Sequence, residues 1–158
     1  MPDVPHAEQL AVPREYGSPS KLLPWESVVA RLTEAKHYWL VTSRPDGRPH
    51  VTALDGLWIG GRWYFGGVPT TQWQRNLRAD PRAVLHLEDA ASAVIVEGTC
   101  PVEQVDHAFA ERLSAASKAK YGYGPPPSVY LGGVRALRPT MARAWTDFTV
   151  DATRYRFT

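Results

Sequence analysis

YWLVTSRPDGRPHVTALDGLWIGGRWYFGGVPTTQWQRNLRADPRAVLHLE, residues 38–88, decides the fold. From His37 to Ser43 the chain is rich in aromatic and β-branched residues, and it stops at Arg44-Pro45-Asp46-Gly47. Proline cannot donate to a strand ladder, and Asp-Gly suits a tight turn, so Arg48 to Leu54 reads as the returning strand of a hairpin. A second hairpin follows, with Leu57–Ile59 and Arg62–Phe65 flanking Gly60-Gly61. After the loop Gly66–Thr71, the stretch Gln72–Ala79 has helical spacing in Trp73, Asn76 and Leu77, and Asp80-Pro81 ends it. Ala83–Glu88 and Ala93–Thr99 are then two further strands around a short polar turn at Asp89–Ser92.

Outward from this core, Trp25, Val28, Val29, Leu32 and Ala35 recur at helical spacing, and Pro24 suits a first turn, so residues 24–36 are expected to form an amphipathic helix. Residues 1–23 carry Pro2, Pro5, Pro13 and Pro19 without a sustained period and read as a mobile arm. Downstream, Val105, Phe109, Leu113 and Ala116 share one face of an expected helix over Val102–Tyr121. Its charges run from Glu103 and Asp106 to Lys118 and Lys120, in the order that suits the helix dipole. Gly122–Ser128, with three consecutive prolines, is expected to be a rigid exposed connection. Thr140–Phe148 and Ala152–Phe157 complete the strand series. Many short strands with only two substantial helices predict an antiparallel β-barrel with peripheral helices over residues 24–158. A dinucleotide-binding α/β fold is disfavoured, because helices and strands do not alternate and no G-x-G-x-x-G occurs.

The 158 residues suit one domain, burying roughly two-thirds of the unfolded surface. Hydrophobic residues at 44% and charged residues at 22% are ordinary for a globular protein. Six Trp and seven Tyr are more than a small core needs, so these rings either fill a barrel or line a pocket or interface. A net charge of +2, with Lys and Arg scattered, does not point to nucleic acid. The single Cys100 excludes an internal disulfide, fits a reducing compartment and reads as a buried structural thiol. Neither a secretion leader nor a long apolar span is evident, which leads to the expectation of a cytoplasmic protein not associated with membranes.

The segment Thr70-Thr71-Gln72-Trp73-Gln74-Arg75-Asn76-Leu77 gathers hydroxyls, amides, a guanidinium and the free N–H groups of a helix start, the usual means of holding a phosphate. The competing reading is a solvated helix cap, with Thr71 as cap and Arg75 in water. On the strand after the Asp-Gly turn, Arg48, His50 and Thr52 alternate onto one face and Val51 and Ala53 onto the other. His86 and Glu88 share a face but lack a third ligand at metal spacing, so no metal site is expected. No serine has the surroundings of a nucleophile. Near the C-terminus Arg154 and Arg156 fall on one side of a strand and Tyr155 and Phe157 on the other.

The order of these elements resembles the cofactor-binding half of the pyridoxamine 5′-phosphate oxidase-like superfamily, the split barrels that bind FMN or the deazaflavin coenzyme F420. The resemblance covers Trp25 to Thr99 well and the last strands loosely. It implies an antiparallel FMN-binding split barrel whose 70–77 loop binds the cofactor phosphate. That family writes roughly Ser-Arg-Lys-x-x-x-Leu ahead of Pro-Arg, where this chain has Thr71-Gln72-Trp73-Gln74-Arg75-Asn76-Leu77 ahead of Pro81-Arg82. Trp73 thus stands in place of the phosphate-binding Lys, and Gln72 in place of a common Arg. The implied cofactor set is Thr70, Thr71, Gln72, Trp73 and Arg75 around the phosphate, with Arg48 as a further cation. His50, Val51, Thr52 and Ala53 are implied along the ring, and Trp145 and Arg154 at the cofactor of a partner subunit. The resemblance further implies a homodimer with cofactor sites at its interface, for which Trp39, Trp58, Trp63 and Trp145 are spare aromatics. By the same resemblance the activity is hydride transfer between FMN or F420 and a small conjugated or heteroaromatic substrate, the cofactor carrying the chemistry. The alternative is a degenerate barrel that binds flavin or haem as a carrier or sensor.

Overall fold

Gly47 takes φ +87°, and Gly60 and Gly61 take +60° and +80°, the left-handed values that tight hairpin turns demand. Both expected hairpins are present in the computed structural model, which describes residues 3–158. The elements run β1 (His6–Gln9), a 3-10 turn (Arg14–Tyr16), α1 (Trp25–Glu34), β2 (Tyr38–Ser43), β3 (Pro49–Leu54), β4 (Leu57–Ile59), β5 (Arg62–Phe65) and α2 (Gln72–Ala79). They continue with β6 (Arg82–His86), β7 (Val94–Thr99), β8 (Val102–Glu103), α3 (His107–Tyr121), α4 (Pro127–Leu131), β9 (Val134–Ala144) and β10 (Thr153–Arg156).

All strand pairs are antiparallel. The order is β1-β10-β9-β7-β6-β2-β3, with β5 and β8 on the first part of β9 and β4 on β5. The long β9 changes partners midway: Arg135–Leu137 pair with β5, and Arg138–Ala144 with β7. The register shifts between Glu97 and Gly98, with Pro139 opposite Gly98, a bulge position where proline's missing N–H is tolerated. A Cβ on Gly98 would lie 2.1 Å from the Arg138 carbonyl oxygen, so only glycine permits this crossing.

Alternation drives one face of each strand inward. Tyr38, Leu40, Trp63, Phe65, Leu85, Val96 and Tyr155 form the barrel core, closed by Val28 and Leu32 of α1 and by Trp73 and Leu77 of α2. The buried tyrosines find acceptors, Tyr38 donating to the Leu32 carbonyl at 2.6 Å and Tyr155 to the Leu23 carbonyl at 2.5 Å. A second cluster, including Leu57, Tyr64 and Val134, packs under Leu113 of α3.

Several expectations are corrected. The 1–23 segment (of which Met1 and Pro2 lie outside the described residues) is not a free arm: β1 pairs with β10, Leu10 N–H donates to Ala152 O, and Leu23 N–H to the Thr153 hydroxyl. The helix expected from Val102 starts at His107, where the Asp106 carboxylate accepts from the Phe109 N–H at 2.8 Å. Val102 and Glu103 instead extend the sheet, and the Glu103 carboxylate binds Arg62 (2.8 Å) and Arg138 (2.6 Å) rather than complementing a helix dipole. Two of the three prolines precede α4 and the third opens it. β9 begins at Val134, six residues before the expected start and with Pro139 inside it. Trp58 and Trp63 are core residues, not spare interface aromatics.

Candidate functional site

α2 starts where β5 runs out of sheet, across the loop from Gly66 to Thr71. Thr71 N–H bonds the Val68 carbonyl, and Thr71 O accepts from Arg75 N–H at 3.2 Å, closing the first helical turn. The Thr71 hydroxyl does not cap the helix. It is buried and has no hydrogen-bond partner among the described residues, and the first-turn N–H groups of Gln72, Trp73 and Gln74 precede any intrahelical acceptor. Trp73 turns inward: 4% exposed, it packs on Phe65 with ring centres 5.4 Å apart. A Cβ on Gly67 would lie 2.8 Å from its indole. The residue in place of the family's Lys therefore anchors the loop to the core and leaves almost no side-chain surface for a ligand.

Polar side chains of α2 form a chain of contacts ending at β2. Arg75 donates to Gln72 (2.9 Å), Gln72 to Asn76 (2.8 Å), and the fully buried Asn76 to the Thr42 hydroxyl (3.0 Å). Thr42 lies opposite His50 in the β2–β3 register. His50 Nδ1 is buried with no partner among the described residues, and burial, then Arg44, lowers the imidazole pKa, which favours the neutral ring. The structure thus brings Thr71, Gln72, Arg75 and His50 onto connected elements, with Thr70 exposed beside them.

The other expected residues are more dispersed. Arg48 is exposed and held by Asp46 at 2.8 Å. His50 and Thr52 share a face with Thr42 and Leu40, whereas Val51 and Ala53 share the outer face with Val41 and Trp39. That face is open: Val51 is 53% exposed, and Trp39 stacks on His86 with centres 6.3 Å apart. Trp145 packs on Phe148 (5.1 Å) after β9. Arg154 sits on β10, five strands from β3, with its guanidinium 2.8 Å from Glu8. Neither joins the α2 cluster within one chain.

One feature escaped sequence reading. A cleft of about 930 Å³ lies between the β4–β5 sheet and α3–α4. Tyr64, Tyr121, Tyr123 and Tyr130 line part of it, and Gly67, Gln74 and Arg135 another part. Its signal is three tyrosines within ten residues around the proline run, hidden by taking that run as an exposed connection. Nearby, Lys120 donates to the Tyr38 hydroxyl (2.8 Å) and the Gly56 carbonyl (3.1 Å). Burial lowers its pKa to about 8, with Lys36 acting the same way and Asp55 opposing.

Among the described residues no three His, Cys, Asp or Glu side chains are placed to hold a metal, and no helix is long and apolar enough to cross a membrane. Cys100 is buried, and burial pushes its thiol up to about 12, an unreactive state at neutral pH.

Comparison with known proteins gives consistent results. No curated protein matches the chain. Among solved structures, it is similar to the conserved hypothetical protein Rv2991 from Mycobacterium tuberculosis (22% identity, 79% of this chain and 86% of that one, TM-score 0.65). An F420 reductase is 28% identical, over 70% of this chain and 92% of that one, with TM-score 0.52. A haem binding protein from Mycobacterium smegmatis is 20% identical over 83% and 58%, with TM-score 0.62. The family model described as pyridoxamine 5′-phosphate oxidase matches residues 24–155. With the antiparallel strand order and the hairpin, loop and helix succession around α2, this match establishes that the chain belongs to the pyridoxamine 5′-phosphate oxidase family of split barrels.

Proposed function

We propose that the protein is an oxidoreductase that binds FMN or coenzyme F420 at the start of α2 and acts on a small conjugated or heteroaromatic substrate. The observation that carries this reading is that Thr71 Oγ1 and His50 Nδ1, two of six buried polar atoms without partners among the described residues, lie on elements joined through Asn76 and Thr42. Buried polar atoms without partners are costly, and a ligand with several acceptors satisfies them together with the first N–H groups of α2. Support for the coenzyme class comes from the family match and from the likeness to an F420 reductase.

In this reading Thr70, Thr71 and Gln72 hold the phosphate through hydroxyl, amide and backbone N–H groups, and Arg75, already braced by Gln72, supplies the charge. Arg48 lies across the hairpin as a second cation once released from Asp46. On β3, His50 and Thr52, which share a face with Thr42, line the ring side, while Val51 and Ala53 lie on the opposite, outer face. When bound, the cofactor ring supplies the hydride chemistry; the chain binds, orients and excludes water. A second copy is proposed to cover the open outer face of β2 and β3, with its Trp145 and Arg154 reaching the site. The apolar Val41, Val51 and Trp39 on that face suit a homodimer interface.

A second reading, a carrier or sensor of flavin or haem without turnover, is favoured by one observation: with Trp73 in the core, the loop lacks the family's phosphate cation. Titrating the purified protein with FMN, F420 and haem while following absorbance, then assaying hydride transfer with the ligand that binds, tests the proposal. Binding of FMN or F420 with turnover supports it, whereas haem binding alone supports the second reading.

A further inference from the structure

Arg135 is 8% exposed on β9, yet no carboxylate pairs with it among the described residues. Its Nε donates to Gln74 at 3.0 Å and its Nη1 to the Cys100 carbonyl at 2.8 Å. Nη2 makes no further hydrogen bond among the described residues and is not itself buried, so it faces the solvent of the cleft. The closest acid along the chain pairing, Glu103, sits opposite Val134 rather than Arg135 and spends its carboxylate on Arg62 and Arg138. Asp55, the carboxylate among the cleft-lining residues, is 62% exposed and faces His37 at 3.4 Å. Burial holds the Arg135 pKa below the usual arginine value, with Cys100 opposing and Arg78 acting in the same direction as burial. A guanidinium cannot escape by losing its proton. A buried one without a counter-ion is costly until an anion arrives.

Arg135 lines the 930 Å³ cleft, within the size range of sites for small organic ligands. The rest of the lining is mostly apolar and aromatic, including Tyr64, Tyr121, Tyr130, Val102 and Val129. We propose that this cleft binds an organic acid with a flat apolar body, its carboxylate, sulfonate or phosphate on the Arg135 guanidinium beside Gln74 and its body against the tyrosines. The site is distinct from the cofactor contacts proposed at Thr71, Arg75 and His50, and it stands whether or not a flavin binds there.

The test uses the purified full chain without cofactor and two fluorescent probes of similar shape, the anionic anilinonaphthalene sulfonate and the uncharged N-phenylnaphthylamine. The sulfonate should bind saturably and be displaced by a simple aromatic carboxylate such as cinnamate. Arg135→Met should weaken the sulfonate tenfold or more and leave the uncharged probe within about twofold; Arg135→Lys should restore part of the loss. Val129→Trp, a filling change at a residue 57% exposed, should weaken both probes and keeps the test open if Arg135→Met does not fold. Equal sulfonate affinity in the wild type and Arg135→Met overturns the proposal, as does binding of both probes unaffected by Val129→Trp; Arg135 would then merely tie β9 to α2. Because no cofactor is present, failure here is separate from failure of FMN or F420 to bind.

Discussion

Trp73 shows how one side chain sets the character of the α2 loop. Its indole fills the space between Phe65 and Gly67, so its position in the helix start is fixed by packing and not by ligand charge. Trp73→Ala should cost about 3–5 kcal/mol of stability, the range for truncating a large core aromatic, read from denaturant unfolding. Trp73→Lys should destabilise the protein as well and gain no affinity for FMN or F420, since its ammonium would start in the core. Tighter cofactor binding by a folded Trp73→Lys protein would show that the loop rearranges to present residue 73. The spacing of Trp73, Asn76 and Leu77 already marked the buried stripe of α2; comparison with the family motif drew Trp73 toward the ligand instead. By contrast, the grouping of Thr71, Gln72 and Arg75 was legible, because a helix start after a polar loop is local information. The Asn76 to Thr42 link behind His50 was not, since it joins elements 34 residues apart.

Among the elements, α3 carries the clearest pH dependence. Lys120 near its end is surrounded by Tyr38, Tyr121 and the Gly56 carbonyl, with Lys36 and Asp55 acting from outside. Its folded pKa, about 8, lies below the ordinary lysine value of 10.5. The folded state therefore binds fewer protons than the unfolded state between these values, so this residue makes stability rise with pH there. Lys120→Met should lower the slope of thermal midpoint against pH between about pH 8 and pH 10 relative to the wild type, in which the raised Cys100 thiol pulls the other way above about pH 9. An identical slope in both proteins would contradict the assignment. The element boundaries show what local chemistry can specify. Asp46-Gly47 and Gly60-Gly61 placed both hairpins because the turn residues themselves demand the geometry. β1 escaped because four residues among prolines gain strand structure only from β10. β8 escaped because Val102, Val105 and Phe109 mimic helical spacing, and only their packing against β9 separates Val102 from the helix.

At the scale of the whole molecule, the sheet leaves β3 as an edge strand and the outer face of β2 and β3 uncovered. Light scattering at micromolar concentration should give a dimer, and Val51→Asp on that face should shift it toward monomer; a wild-type monomer would remove the second copy from the proposed site. The split-barrel topology was legible as a series of antiparallel hairpins, whereas the double role of β9 was not, because its partner change rests on the Gly98 crossing. In the proposed function a phosphorylated flavin or deazaflavin seats on the start of α2 with Arg75 as its main cation. Equilibrium titration of wild type and Arg75→Ala with FMN and with F420, at low and high salt, decides whether it does. Binding of one of the two should be saturable and weakened by salt, and reduced in Arg75→Ala by about 1.5–3 kcal/mol, the range for a charge-assisted hydrogen bond. Absence of binding by either coenzyme, or equal affinity in the two proteins, would contradict this seating.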